Sequence, residues 1–538
     1  MSTPYNLETI ILLLVAVLLL MTIARRVLIP YPILLVLGGL ALSFVPNVPV
    51  VPLDPDLVFL VFLPPVLWSA AYFTSLRDFT ASLRPILLLA VGLVLATTVA
   101  VAAVARVVVP GMSWPVTFAL GAIVSPPDAV AATAIARRLR IPHRLVTILE
   151  GESLVNDAAA LVLYRVSVTA AASGAFALGP ALGQFVLAAL GGVLVGLIVG
   201  ALVRWVLRLT DDSLAQIAIT LLAPYAAWVL AERVHASAVL ACVAGGLYVR
   251  QGFSAIVPPA TRIQGRAVWD LLIFILNGVI FILIGLQLGA IREAGLPGSL
   301  GSLVLPGAII SATAILVRLV WVPLGSVIPR LLSPALRRRD PIPPWPQIFL
   351  VAWTGMRGIV SLAAALALPL TTAQGTPFPF RNEVILLTFG VILSTLVLQG
   401  LSLTPLIRRL HLGEDDSLEV EEAFAREAAA RAALSRLEAL DGGTWPRRDI
   451  DRLRALYTQR VQRASPLELG DGGASAQARA ALRRLRHETL AAERRALIEL
   501  RDRGVISDEV LHRLEQELDV EAIRVGLGET RLGEGGSG

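Results

Sequence analysis

Long apolar stretches, divided by short polar turns, fill the chain from about residue 8 to residue 407. Apolar runs long enough to cross a bilayer read as transmembrane helices. The pattern predicts about thirteen such spans. They lie near 8–23, 29–45, 57–73, 85–108, 115–136, 144–171, 180–208, 213–231, 236–250, 267–290, 302–329, 346–369 and 382–407. After Arg409 the pattern changes. Residues 411–538 are rich in Glu, Arg, Ala and Leu, with helical runs near 417–440, 446–463, 476–503 and 507–520. Ser507, followed by Asp508 and Glu509, reads as a helix N-cap. Gly470 to Gly473 reads as a linker, and the last six residues as disordered. The expected organisation is a membrane domain over 1–410 and a cytosolic helical domain over 411–538.

Two of the spans contain breaks. The fifth holds Ser125-Pro126-Pro127-Asp128, and consecutive prolines remove two amide donors and clash with the preceding turn. The twelfth holds Gly355-Met356-Arg357-Gly358, an arginine between glycines at mid-span. The two lie seven spans apart, the spacing of corresponding helices in two inverted halves. Interrupted spans at matching places in two repeats point to a transporter's binding site. The alternative is a pair of unrelated kinks, since Pro and Gly are common in membrane helices.

The sixth span carries Glu152, Ser153, Asn156 and Asp157. A carboxylate near the bilayer centre is costly and marks an ion or proton pathway by default. Ser153 and Asp157 are four apart and share one helix face, where a hydroxyl and a carboxylate suit a hard cation. Glu152 and Asn156 share a face rotated by roughly 100°. Asn156 is placed to cap the freed backbone at Ser125 to Asp128. Glu152 is expected to pair with Arg357, because a buried charge needs an opposite one. Helix-gluing polar contacts are the competing role for this network. His143, beside Arg144 in a cytoplasmic loop, reads as a solvated loop residue, with pH sensing the alternative. Asp270 and Asn277, seven apart, share a face of the tenth span and either line the core or sit at the interface and in packing. The run Gly191, Gly192, Gly196 and Gly200 suits close helix packing.

Composition agrees with a membrane class: 56% of residues are hydrophobic, 16% are charged and mean hydropathy is +0.74. All 46 basic residues are Arg. Those of the membrane domain concentrate in alternate loops, which reads as membrane topology and not as nucleic-acid binding. The positive-inside rule places the N-terminus outside and the C-terminus in the cytoplasm. The first apolar run has a polar front and no basic n-region, unlike a cleavable signal. The lone Cys242 is expected to be a buried, inert thiol.

Ser125-Pro-Pro-Asp-Ala-Val-Ala-Ala and Gly151-Glu-Ser-Leu-Val-Asn-Asp-Ala158, with Gly355-Met-Arg357-Gly358, resemble the monovalent cation:proton antiporter-1 family, the NhaP-like sodium/proton exchangers. Phe62-Leu-Pro-Pro65 and Gln399-Gly-Leu-Ser-Leu-Thr-Pro405 are similar to further family segments. The resemblance covers roughly 10–410. It implies an all-α polytopic protein with inverted repeats and two crossed, broken helices. It implies a homodimer in the cell membrane, with a panel of interface helices and a mobile core, exchanging sodium for protons. Asp157 would carry the ion or proton, with Ser153 and the Pro127 carbonyl as further ligands. Glu152 and Arg357 would form a supporting pair, and Asp128 matches the Asp of the broken fifth helix.

Two positions depart from the family pattern. Ser69 stands where relatives often place an acid, offering a ligand oxygen without charge. Pro127 stands where relatives carry Thr, leaving only its carbonyl. Proton and cation competing for Asp157 gives one-for-one exchange. No cofactor and no nucleic acid is expected; the monovalent cation and the proton are substrates, and membrane lipid is the surrounding partner. Potassium or lithium exchange is the alternative within the class. An intramembrane enzyme using Asp128 and Asp157, or an uncoupled cation channel, is the alternative outside it.

Overall fold

The computed structural model describes residues 7–27, 30–45, 55–139, 141–173, 178–251, 253–293, 300–372, 374–410, 412, 417–440 and 446–464, with scattered positions from 489 onward. The chain divides into two compact units, Met1–Asp415 and Asp416–Gly538.

The first unit is built from helices. They are α1 (Leu7–Val27), α2 (Tyr31–Leu42), α3 (Pro55–Phe73), α4 (Leu83–Val108), α5 (Trp114–Val124), α6 (Ala129–Arg138), α7 (His143–Ser173) and α8 (Leu178–Leu209). There follow α9 (Ser213–Arg233), α10 (Ala238–Arg250), α11 (Pro259–Glu293), α12 (Leu300–Leu332), α13 (Trp345–Trp353), α14 (Ile359–Leu366) and α15 (Arg381–Arg409). Among the described residues, nine helical stretches are long and apolar enough to cross a membrane, α5 and α6 being taken together. The protein is a multi-pass membrane protein. Three apolar helices are shorter, namely Ile11–Ala24, α2 and α10.

Proline shapes α3. Its segment Val58–Phe62 widens into a π-turn just ahead of Pro64 and Pro65. A proline has no N–H for the carbonyl four residues back and crowds it. The Val61 carbonyl, which Pro65 leaves free, instead accepts the Tyr225 hydroxyl at 3.2 Å. A second π-turn, Leu88–Leu93 in α4, presents the Leu88 carbonyl to the Trp321 indole N–H at 3.1 Å.

The helices sort into two groups by packing. One comprises α1–α3 and α8–α11; the other comprises α4–α7 and α12–α15, with contacts dense inside each group and sparse between them. Lipid offers no hydrophobic drive between helices, so small residues that let backbones approach matter most. A Cβ on Gly39 of α2 would lie 2.2 Å from the Ile282 carbonyl of α11, and one on Gly285 of α11 would lie 2.2 Å from the Val36 carbonyl. The glycine run of α8 packs on α10 in the same way. Gly192 faces the Ser237 carbonyl and Gly196 the Ala241 carbonyl.

In the second unit, Ser417–Leu440 (α16) and Arg447–Ala464 (α17) pack on one another, with Leu437 and Ile450 buried. The remaining predicted tail features lie largely outside the described residues: the runs near 476–503 and 507–520, the glycine linker, the Ser507 cap and the terminal segment.

Candidate ion-binding site

The fifth predicted span breaks into α5 and α6 over Ser125–Asp128, and the twelfth into α13 and α14 over Thr354–Gly358. The breaks cross. The Asp128 N–H donates to the Met356 carbonyl at 2.6 Å, joining them through backbone. An interrupted membrane helix is tolerated only where the freed groups find partners or line a cavity, and here the partners are identifiable. Arg357 donates from Nε to the Val124 carbonyl at 3.0 Å, from Nη1 to the Gly355 carbonyl and from Nη2 to the Ala314 carbonyl at 3.5 Å. It thus sets positive charge against the carbonyl ends of α5 and α13, the negative pole of each helix. The opposite pole is served by Asp128, whose Oδ1 accepts from the Val130 N–H at 2.8 Å and caps α6. Its Oδ2 lies beside Gly358, at the start of α14.

Gly358 is required by that approach. A Cβ there would fall 1.9 Å from Asp128 Oδ2 and 2.6 Å from its Cγ. Asp128 cannot retreat without releasing its cap. Gly358→Ala is therefore expected to cost about 1–3 kcal/mol, read as a lower thermal unfolding midpoint of the purified protein. An unchanged midpoint would show that Asp128 is free to move.

Helix α7 passes the crossing. Asn156 donates from Nδ2 to the Pro127 carbonyl at 2.9 Å, so its amide caps the first break. Glu152 does not pair with Arg357, contrary to expectation. Its carboxylate is held by both Nη atoms of Arg318, Nη2 to Oε2 at 2.8 Å, and both side chains are buried. Arg318 also donates from Nε to the Val351 carbonyl near the end of α13, at 3.1 Å. The arginine of α12 reaches both α7 and α13, while the Arg357 donors are spent on carbonyls. Arg318 went unnoticed in the sequence. Its signal was the isolation of one charge in the apolar run 302–329, a position that marks an intramembrane partner.

A cavity of about 340 Å³ lies between the two helix groups. Asp157, Ser153, Pro127, Asp128 and Ser69 all line it. Asn156, Glu152, Arg357 and Ser125 do not; they stand behind the wall. Asp157 is 6% exposed, and among the described residues no donor reaches its carboxylate. Ser69 and Ser125 each donate to a carbonyl of their own helix, Val66 and Ala122, at 3.0 Å. Both Asp270 and Asn277 line the cavity, Asp270 exposed at its mouth beside Arg266 and Asn277 buried. Ser361 of α14 also lines it, and among the described residues its buried hydroxyl has no partner; nothing in the sequence distinguished this serine. His143 is half exposed, 3.7 Å from Asp78.

Residues 11–409 match the family model described as sodium/hydrogen exchanger, transmembrane. An uncharacterized Na(+)/H(+) exchanger of Mycobacterium tuberculosis is 36% identical over 532 residues, covering 97% of this chain and 96% of the relative. The chain belongs to the sodium/hydrogen exchanger family. Another relative, the sodium, potassium, lithium and rubidium/H(+) antiporter of Bacillus subtilis, is 30% identical, covering 97% of this chain and 80% of its own length. The solved sodium proton antiporter MjNhaP1 of Methanocaldococcus jannaschii superposes with a TM-score of 0.58 at 20% identity, covering 75% of this chain and 97% of that one. At that identity the match speaks for the fold. Family and fold are those of cation/proton antiporters, which are transporters and not enzymes.

Proposed function

We propose that this exchanger-family protein exchanges sodium for protons one for one, by competition of the two ions for Asp157. The observation that carries the reading is a buried carboxylate without a donor among the described residues, facing a cavity at a sparsely packed seam between two helix groups. A buried charge is costly unless it is compensated. A proton neutralises Asp157, and so does a cation held by its carboxylate with Ser153 and the Pro127 carbonyl; Ser69 offers a further oxygen. If only the neutralised core crosses the membrane easily, the two fluxes are coupled. Asp128, Asn156 and Arg357 hold the helix ends, and Glu152 with Arg318 holds α7 to its neighbours.

The cavity runs from Asp157 to the exposed pair Arg266 and Asp270. That mouth lies with the arginine-rich loops, which the positive-inside rule assigns to the cytoplasm. The reading therefore has the protein in the cell membrane with its N-terminus outside, its tail inside and its cavity open inward; the homodimer is proposed from the family resemblance alone.

Purified protein in vesicles with an imposed pH gradient tests the function. Sodium added outside should dissipate the gradient, and clamping the membrane potential should leave the rate unchanged. Dissipation without any cation would indicate a proton leak, and a sustained transport current would sink one-for-one coupling. Potassium is the second reading, favoured by the neutral Ser69 and by the ion list in the Bacillus subtilis relative's name. Dissipation by potassium and not by sodium would establish it. The tail is read as modulatory. Truncation after Gly413 should leave coupled exchange measurable with an altered rate or pH profile, and complete loss in a correctly folded truncation would contradict this.

A further inference from the structure

A second cavity, about 490 Å³, lies among α3, α9, α10 and α11, near the mouth of the ion cavity. Among the described residues, its lining includes three guanidinium groups, Arg250, Arg262 and Arg266, and no carboxylate. The other walls are largely aromatic and aliphatic, with Tyr72 and Trp269 among them. Ile263 of the lining is 71% exposed, and nearby Leu214 of α9 is 73% exposed, so apolar surface continues outward from the basic pocket. Guanidinium forks match phosphate oxygens in geometry as well as charge. A basic pocket between membrane helices, flanked by apolar surface, suits a ligand with an anionic head and hydrocarbon tails.

Arg266 belongs to both cavities. It pairs with Asp270 at 3.2 Å and lies 4.3 Å over the Phe73 ring, which also borders both spaces. A phosphate in the basic pocket competes with Asp270 for this one arginine. We propose that the pocket binds the phosphate of an anionic phospholipid headgroup, and that the bound phosphate draws Arg266 from Asp270 at the mouth of the ion cavity. The released Asp270 carboxylate then attracts cations to the entrance. This second consequence rests on the antiport reading; the binding site does not.

The test uses the full chain. Phosphatidylglycerol, phosphatidylcholine and soluble glycerol 3-phosphate are titrated against wild-type protein, the pair Arg250→Gln with Arg262→Gln, and a control pair, Arg337→Gln with Arg338→Gln. The control removes the same charge from exposed positions outside the pocket. Phosphatidylglycerol should bind the pocket variant roughly thirtyfold more weakly, with the control and phosphatidylcholine unchanged. Equal losses in both variants, or none in either, would overturn the site. Should the pair fail to fold, Arg250→Gln alone is measured by the same criterion. Displacement of the lipid by micromolar glycerol phosphate would overturn the lipid source in favour of a soluble phosphate. In vesicles, phosphatidylglycerol should lower the apparent KM for sodium about threefold or more relative to phosphatidylcholine, with kcat unchanged, and the pocket variant should lose this difference. A difference that persists in the pocket variant would overturn the link to Asp270. Absence of any cation-dependent flux in wild-type protein would refute the antiport reading and leave the binding result standing.

Discussion

Asp157→Asn is expected to abolish cation-dependent proton flux while the protein still inserts and folds. Asparagine has nearly the shape of aspartate, so the packing of α7 beside the crossing should survive. It neither takes up a proton at working pH nor neutralises a cation, so both substrates lose the group for which they compete. The measurement is collapse of an imposed pH gradient in vesicles, with thermal unfolding as the control for folding. Residual exchange above a few per cent of wild type would move the exchange site elsewhere, with Asp128 the next candidate. Asp128→Asn should be milder, because asparagine can still accept the Val130 N–H that the carboxylate now accepts. If both variants are inactive yet folded and wild-type protein carries a steady transport current, two acids titrate in each cycle and one-for-one exchange fails.

The second large effect concerns stability. Glu152→Gln or Arg318→Met should each destabilise the fold by about 3–5 kcal/mol, because either change leaves a buried charge without its partner. The double change should be less harmful than the sum, since two neutral groups then face one another. A coupling of about 0.5–3 kcal/mol is expected in the cycle, measured by unfolding in detergent. The corresponding cycle between Glu152 and Arg357 should show the smaller coupling, as Arg357 donates to carbonyls. A larger coupling to Arg357 than to Arg318 would contradict the observed pairing. Arg318→Met should also loosen the end of α13, where the Nε bond to Val351 is lost.

Much of the crossing was readable because its chemistry is local. Two adjacent prolines withdraw two amide donors and crowd the preceding turn, so a break at Pro126 and Pro127 was arguable from covalent structure, although the same pair at Pro64 and Pro65 is absorbed within α3 by a π-turn. Freed carbonyls inside a membrane need donors, so a capping role for Asn156 was arguable from its place on α7, and the Nδ2 bond to Pro127 has that form. The four-residue spacing of Ser153 and Asp157 put both on one face, and that face meets the cavity. The partner of Glu152 was not readable. A buried carboxylate demands a cation, yet helical period does not say which of two buried arginines stands at the same depth. Arg318 lies 166 positions away along the chain, and only the packing of α12 against α7 and α13 brings it near.

The sequence by itself determined the membrane class, the places where two helices break, and the face of α7 that carries Asp157. Each follows from properties of neighbouring residues: the length of an apolar run, the missing amide of proline, the period of the helix. Tertiary structure alone decided which arginine neutralises Glu152, that Gly358 leaves room for Asp128, and that Ser69, Ser361 and Asp270 share one cavity with Asp157. Those outcomes depend on the depth and rotation of helices far apart in the chain. They are settled by close backbone approach at small residues and by the partners that buried charges such as Glu152 and freed carbonyls such as that of Pro127 require.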